Sequence, residues 1–223
     1  METAQNMKPE QHTETEQNKK PKQYTKTEQN KKPEQYTENG QNTEAVQNKR
    51  SQQNVIPASR ELKSQVKEKM IEYYAGDARR IHHFLKVHSF AKLIGEMEGV
   101  TGEELEILEV AALVHDIGIK NSEKKYGYNT GKTQEKEGPP EAEKLLMPLT
   151  DDAAFIERVC YLVGHHHTYS NIDGIDYQIL VEADFLVNLY EDKEHIKAVR
   201  SAYEKIFQTR SGRKLCKEIF ALS

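Results

Sequence analysis

Apolar side chains are distributed unevenly along this chain. Residues 1–55 contain almost no aliphatic side chains, whereas residues 56–223 hold nearly all of the Leu, Ile, Val and Phe. The first region cannot bury enough apolar surface to offset the conformational entropy that folding would cost, so we predict a disordered tail there. The second region is long enough to form one domain with its own core.

Within residues 56–223 the apolar positions recur at spacings of three and four, and no segment alternates with a period of two over a useful length. This pattern predicts an all-α domain built as a bundle of helices. The predicted helices span residues 59–75, 78–97, 101–117, 139–146, 151–166, 177–191, 193–208 and 212–221.

Two local features refine these helices. Thr101 and Glu104 have the spacing of a capping box, which predicts the start of the third helix. Residues 118–138 lack periodicity and are rich in Gly, Lys, Tyr and Asn. They predict a long loop, and long loops in compact domains are often functional.

The tail contains an internal repeat of 12 residues. It is marked by Gln-Asn pairs at 5–6, 17–18, 29–30 and 41–42. A solenoid needs an apolar face on which its repeats can stack, and these polar residues offer none. We interpret the repeat as a low-complexity linker, with a Tyr-bearing interaction segment as the alternative.

The charge distribution limits the possible partners. The net charge is −4, of which the tail contributes +1 and the remainder −5. A mildly acidic domain argues against a nucleic-acid-binding surface, which needs a basic face, but it allows a small phosphorylated substrate.

Cys160 and Cys216 are interpreted as reduced thiols in the core. No apolar run reaches the ~20 residues of a membrane span and no signal peptide is evident, so we expect a cytoplasmic protein of undetermined oligomeric state.

Histidine and carboxylate side chains recur on predicted buried faces. His83 shares its helix face with Val87 and Ala91, whereas His82 is expected to face solvent. His115 and Asp116 follow a strongly apolar helix, and Gly118 is expected to permit the helix to end there. A buried His and Asp are costly unless they are paired or bound to a cation.

A third candidate lies farther along the chain. Asp184 has Leu180, Val181 and Val187 as its neighbours at helical spacing, so it is expected to be buried beside a partner. Glu182, two positions away, is expected to be exposed.

These residues together resemble a known family. His83, then His115-Asp116 within "AALVHDIGIK", then Asp184 within "EADFLVN" are similar to the motifs of the HD superfamily of metal-dependent phosphohydrolases, over about residues 78–192. The resemblance implies an all-α HD-domain bundle. It also implies one divalent metal ion (Mn, Fe, Co, Ni, Zn or Mg) that is ligated by His83, His115, Asp116 and Asp184.

The chain departs from the family pattern at two places. Many relatives have Lys directly after Gly118, whereas here Ile119 stands there and Lys120 follows. Relatives with several metals have further histidines soon after the His-Asp pair, and this chain has none between Ile117 and Gly164. We therefore expect a single ion. No GYP element follows, which disfavours the subclass that acts on cyclic dinucleotides.

Three consecutive histidines resemble a later histidine pair of the family. His166 continues the apolar face of Val159 and Leu162, so it is the one expected to enter the site, with His165 and His167 beside it.

The function implied by the resemblance is hydrolysis of a nucleotide or another small phosphate ester by a metal-activated water. Asp116, His166 and Lys120 are the expected catalytic residues. His165, His167 and Tyr169 are the expected substrate-binding residues. The alternatives are a non-hydrolytic, metal-stabilised scaffold or regulatory binding module, and an oxygen-using di-iron relative.

Overall fold

The protein forms an all-α domain, as the apolar spacing predicts. The computed structural model describes residues 58–222, with side chains from Glu61 onward. Within that range the chain forms nine helices and no strand: α1 (Ala58–Tyr73), α2 (Ala78–Glu98), α3 (Gly102–Val114), α4 (Ile119–Tyr126), α5 (Gly131–Leu146), α6 (Ala153–Val163), α7 (Ile175–Glu191), α8 (Ile196–Lys205) and α9 (Arg210–Ile219). The predictions for residues 1–55, a disordered tail with a repeat, lie outside the described residues.

Helix α3 lies at the centre of the bundle. It packs against α1, α2, α6 and α7, and every residue from Leu108 to Val114 is buried. A helix that is apolar on nearly all sides has to be enclosed by other helices. His115 and Asp116 follow directly at its C-terminal end, so this packing places the pair at the edge of the core.

Helix α2 buries the face that helical spacing predicts. Val87, Ala91 and Ile94 are fully buried and His83 is 8% exposed, whereas His82 faces solvent. The helix packs against both α3 and α7. This arrangement turns His83 toward the end of α3.

The predicted loop over residues 118–138 is wrong. Helices α4 and α5 cover most of this segment, with a turn between them. The buried positions of α5 include Gln134, Glu137 and Gly138, where an ordinary amphipathic helix has aliphatic side chains. Because those positions are polar or lack a side chain, the apolar period that marks a helix in the sequence is missing.

Two predicted helix starts also differ from the structure. Thr101 precedes α3 but its side chain makes no capping hydrogen bond, so the capping box with Glu104 is not formed. A capping box occurs instead between Thr130 and Thr133, at the start of α5. Residues 139–140, the two prolines expected to begin a helix, lie inside α5.

Gly118 is needed for a reason other than the predicted one. Its φ of −68° is ordinary right-handed backbone, so no left-handed ending requires glycine here. A Cβ at this position would lie 2.6 Å from the carbonyl oxygen of Gln134 and 2.7 Å from the amide nitrogen of Gly138. The absent side chain therefore lets the backbone of α5 cross the turn that carries His115 and Asp116.

Glu182 is buried, which corrects the expectation that it is exposed. Its Oε1 accepts hydrogen bonds from the backbone N–H groups of Gln208, at 2.6 Å, and Thr209, at 2.8 Å. The Thr209 hydroxyl donates to Oε2 and the Gln178 amide to Oε1. These donors satisfy the carboxylate and connect α7 to the turn before α9.

No helix in the described part of the chain is long and apolar enough to cross a bilayer. Cys160 and Cys216 are both free thiols, and Cys216 is buried. Burial raises the pKa of each to about 11, which agrees with the interpretation of unreactive core thiols.

Candidate metal centre

Four side chains that are distant in the sequence meet between α2, α3 and α7. His83 comes from α2, His115 and Asp116 from the turn after α3, and Asp184 from α7. His83 Nε2 lies 3.2 Å from Asp184 Oδ1 and 3.6 Å from Asp116 Oδ2. His115 Nε2 lies 3.5 Å from each of these oxygens. The structure thus brings together the four residues that the family resemblance implies as ligands.

The other ring nitrogen of each histidine determines which tautomer is present. His83 Nδ1 lies 3.1 Å from a carboxylate oxygen of Glu191, and His115 Nδ1 lies 2.9 Å from the carbonyl oxygen of Ala112. Because these oxygens can only accept, each Nδ1 carries the proton and donates it. Each ring therefore turns Nε2 toward the cluster, and in its neutral form it presents the Nε2 lone pair there, as a metal-bound histidine does.

This arrangement of lone pairs calls for a positive charge. His83 Nε2 and His115 Nε2 are 3.3 Å apart, and both face the Asp184 carboxylate. Acceptors that face one another at this distance repel unless a proton or a cation lies between them. Ligand atoms around an ion at about 2.1 Å lie roughly 3.0 to 3.4 Å apart in octahedral or tetrahedral geometry. The nitrogen and oxygen donors, at 3.2 to 3.6 Å, fit a divalent transition-metal ion.

The electrostatics of the cluster agree with this fit. Burial alone would lower the pKa of His115, but the Asp116 and Asp184 carboxylates raise it to about 9. Burial would raise the pKa of Asp184, yet His115 and His83 hold it well below its usual range. The two carboxylates thus favour positive charge at the two Nε2 atoms, and a divalent ion supplies it.

His166 enters the same site from the turn after α6. It is fully buried, and its Nδ1–H donates to the carbonyl oxygen of Val163 at 2.8 Å. Its Nε2 has no hydrogen-bond partner among the described residues and lies 3.6 Å from Asp116 Oδ1. A buried, unpartnered nitrogen beside Asp116 is suited to hold a ligand of the site, such as water or phosphate oxygen. The expectation that His166 is the member of the triplet that enters the site agrees with this position.

His167 lies beside His166 and forms a second group with it and Asp116. The candidate ligand atoms of these three residues lie within 4.8 Å of one another. Both ring nitrogens of His167 are occupied, however, because Nε2 lies 2.9 Å from Gln134 Oε1 and Nδ1 lies 3.4 Å from the Tyr169 hydroxyl. Burial and the neighbouring His166 lower the pKa of His167 to about 4. His167 is therefore neutral and hydrogen-bonded through both ring nitrogens, beside the four candidate ligands.

Two predicted site residues lie away from the cluster. The Lys120 ammonium donates to the carbonyl oxygen of Tyr73 and lies 4.8 Å from the centre of that ring. His165 donates from Nδ1 to the carbonyl oxygen of Tyr161 at 2.7 Å and stacks on its ring. The structure does not bring either side chain to the metal ligands.

Two residues that orient the candidate ligands were not among the predicted site residues. Glu191 accepts the Nδ1–H of His83 and an ion pair from Lys86. Asn188 donates from Nδ2 to Asp184 Oδ1 at 2.9 Å. Asn188 lies four residues after Asp184 and Glu191 lies seven residues after it, so all three share one face of α7. This spacing was the signal that could have found them.

The last residue of α1, Tyr73, and the residue after it donate hydrogen bonds to the backbone of the turn that carries His115 and Asp116. The Tyr74 hydroxyl donates to the carbonyl oxygen of Asp116 at 2.7 Å, and the Tyr73 hydroxyl donates to that of Ile117 at 3.2 Å. These bonds hold the turn in one position, so the Asp116 carboxylate is aimed before any ligand binds.

Comparisons with known proteins agree with this geometry. The family model described as HD domain matches residues 80–205, a range that includes all four candidate ligands. No curated protein matches. A crystal structure from an uncultured Thermotogales bacterium, described as a predicted HD superfamily hydrolase, is similar to this chain with 25% identity and a TM-score of 0.52. The match covers 76% of this chain and 88% of that one.

Proposed function

The chain belongs to the HD domain family of metal-dependent hydrolases, and we propose that it hydrolyses a nucleotide or another small phosphate ester. One divalent ion would be held by His83, His115, Asp116 and Asp184. When bound, such an ion supplies a Lewis acid and lowers the pKa of a bound water toward neutrality. The identity of the ion among Mn, Fe, Co, Ni, Zn and Mg is part of the proposal to be tested.

The observation that carries the proposal is the common orientation of three imidazoles. His83, His115 and His166 each donate Nδ1–H to an acceptor of the protein and turn Nε2 toward the carboxylates. Three such rings around Asp116 and Asp184 exceed what a buried ion pair needs, and the Nε2 atom of His166 has no hydrogen-bond partner among the described residues. Nε2 atoms that are oriented in this way are suited to bind a metal ion or a substrate oxygen.

The protein residues then have distinct roles in the proposed reaction. Asp116, whose side chain is 19% exposed, is reached by solvent and accepts the proton of the attacking water. His166 Nε2 faces the same carboxylate and binds a phosphoryl oxygen or passes a proton to the leaving oxygen. Lys120 has no part in this proposal, since its ammonium lies on the Tyr73 ring.

The direct test combines metal analysis with an activity panel on the full chain. The wild-type protein loaded with each candidate ion is expected to release phosphate from at least one phosphate ester. Asp116→Ala is expected to lower this activity at least about 1,000-fold, because it removes a ligand and the proton acceptor. His82→Ala, an exposed histidine one residue from His83 on α2, is the matched control. Full activity in Asp116→Ala would refute the proposed role.

A metal-stabilised scaffold without turnover is the alternative. It predicts that the ion raises the melting temperature while no phosphate ester is hydrolysed. The exposed part of Asp116 favours the hydrolase, because a purely structural ion is normally enclosed by its ligands.

A further inference from the structure

A pocket of about 560 Å³ adjoins the metal centre on one side. Its lining includes His167, Tyr169 and Phe185 near the metal centre, and Ala198, Ser201 and Ala202 of α8. We refer to it as the α7–α8 pocket. Its volume is within the range of small-molecule sites.

The α7–α8 pocket is continuous with the metal ligands through α7. Phe185 directly follows Asp184 in the chain, and Asn188, which lines the pocket, donates to Asp184 Oδ1. The His167 ring centre lies 4.0 Å from that of His166. A phosphate ester whose phosphoryl group lies at the metal centre would therefore have its organic part beside this pocket.

The walls of the pocket suit a flat, largely uncharged ring. Tyr169 and Phe185 meet edge to face with their ring centres 5.1 Å apart. Leu189, Ala198 and Ile206 add aliphatic surface. Aromatic and aliphatic walls bury the faces of a ring, whereas the few polar groups, such as Ser201, can hydrogen-bond to its edge.

The charges around the pocket disfavour a second phosphate. A phosphate group is normally bound by several cations or N–H donors. Among the described residues that line the α7–α8 pocket, Lys205 is the only lysine or arginine, and it is exposed at the rim. The carboxylates of Asp192 and Glu194 stand at the same rim, and Asp192 is paired with Arg79 at 3.4 Å.

We propose that the substrate is a phosphate monoester of an uncharged, ring-bearing alcohol, with the ring bound in the α7–α8 pocket. This inference rests on the proposed function. The reaction forms a bond between phosphorus and a water oxygen and breaks the ester P–O bond. The bonding electrons pass to the ester oxygen, which takes a proton and leaves as the hydroxyl of the alcohol, together with inorganic phosphate. A nucleoside 5′-monophosphate has the required chemistry and serves as the probe.

The experiment compares three substrates in the metal-loaded full chain: adenosine monophosphate, adenosine diphosphate and glycerol phosphate. We expect kcat/KM for the monophosphate to exceed that for each of the other two at least about 10-fold. Glycerol phosphate has no ring to fill the pocket, and the second phosphate of the diphosphate meets no cluster of cations there. Equal kcat/KM for adenosine monophosphate and glycerol phosphate, or for the mono- and diphosphate, would overturn the inference.

A filling variant tests the location of the ring. Ala198→Phe places an aromatic ring in the pocket and is expected to lower the ratio of kcat/KM for adenosine monophosphate over glycerol phosphate about 10-fold, mainly through KM. Lys197→Phe adds the same side chain at the neighbouring exposed position and is the matched control. An unchanged ratio in Ala198→Phe, or an equal loss in the control, contradicts the location. If circular dichroism shows that Ala198→Phe does not fold, Ser201→Phe is used in its place.

A binding measurement separates this inference from the hydrolase proposal. Adenosine without phosphate is titrated by calorimetry into wild type, Ala198→Phe and Lys197→Phe. If no ester is hydrolysed but adenosine binds wild type and the control at least about 10-fold more tightly than Ala198→Phe, the hydrolase proposal fails and the ring pocket stands. If esters are hydrolysed and adenosine binds all three equally, the pocket assignment alone fails.

Discussion

Asp184 and Glu182 are buried carboxylates two residues apart on α7, and their surroundings differ in kind. Glu182 is surrounded by N–H and O–H donors, which satisfy it completely. Asp184 faces the Nε2 atoms of two imidazoles, His83 and His115, whose Nδ1–H groups donate to other acceptors. Burial of an acidic side chain therefore does not by itself indicate a functional site. The partners do, since N–H and O–H donors complete a structural network, whereas imidazole nitrogens clustered with carboxylates can hold a cation.

The largest expected effect is the loss of metal from an Asp184 variant. Asp184→Asn removes a negatively charged ligand while it keeps the size of the side chain. We expect metal affinity to fall at least about 100-fold and turnover with it. Metal content by elemental analysis and affinity by competition with a chelator measure the effect.

Glu182→Gln is the control for this variant, because it changes a buried carboxylate on the same helix that has no imidazole partner. It is expected to keep its metal. Retention of metal in Asp184→Asn, or its loss in Glu182→Gln, would contradict the distinction between the two carboxylates.

The second effect is on stability. Glu182→Gln replaces one carboxylate oxygen by an N–H group that faces donors, including the Thr209 hydroxyl. We expect the free energy of unfolding to fall by about 3 kcal/mol. Urea denaturation followed by circular dichroism measures the change. Asp184→Asn, studied without metal, serves here as the reciprocal control. A smaller loss of stability in Glu182→Gln than in Asp184→Asn would contradict the structural role of Glu182.

The third effect concerns the orientation of a ligand by Glu191. Glu191→Gln retains an oxygen that can accept the Nδ1–H of His83 but loses the negative charge, and Glu191→Ala loses both. We expect metal affinity to fall about 10- to 100-fold in the alanine variant and less in the glutamine variant. Chelator competition distinguishes them. Equal losses in the two variants would show that the hydrogen bond does not orient His83.

The smallest effect is the pH dependence of a third buried carboxylate, Glu109. Lys63 donates to it, and His88 Nε2 lies 3.5 Å away. Burial alone would raise the pKa of Glu109, but His88 and Lys63 outweigh it and lower the pKa from 4.5 to about 2. A lowered pKa means that its stabilising contribution is complete above about pH 4.5 and is lost as the pH falls toward 2.

Glu109→Gln is therefore expected to lower the free energy of unfolding by about 1 to 2 kcal/mol at pH 7, and the difference from wild type should shrink between pH 4.5 and 2. Denaturation at a series of pH values measures it. Glu104→Gln, at an exposed position of the same helix, is the control. A difference that stays constant over this range would show that the charge of Glu109 has no role.

Helical spacing was sufficient for the residues whose neighbours in the sequence are apolar. His83 and Asp184 each lie on a face with aliphatic residues at spacings of three and four, and both are buried as this pattern predicts. It failed for α5, because Gln134 and Glu137 occupy its buried face. Glu182 was expected to be exposed although Ile179 and Leu186 lie at helical spacing from it. Its donors come from the backbone of residues 208–209, and nothing near it in the sequence shows them.

The pattern of the sequence predicts the all-α class and the buried faces of α2 and α7, and its resemblance to a known family implies the four candidate ligands. Periodicity indicates the helical class and the buried faces because both depend on residues within a few turns of one helix. Only the tertiary structure decided that Glu191 and Asn188 orient the ligands, that His166 faces Asp116, and that Lys120 lies against Tyr73. Helical spacing places Glu191 on the face of α7 that carries Asp184 but does not show that its partner is His83. Most of these contacts join residues far apart along the chain, so they depend on the packing of whole helices.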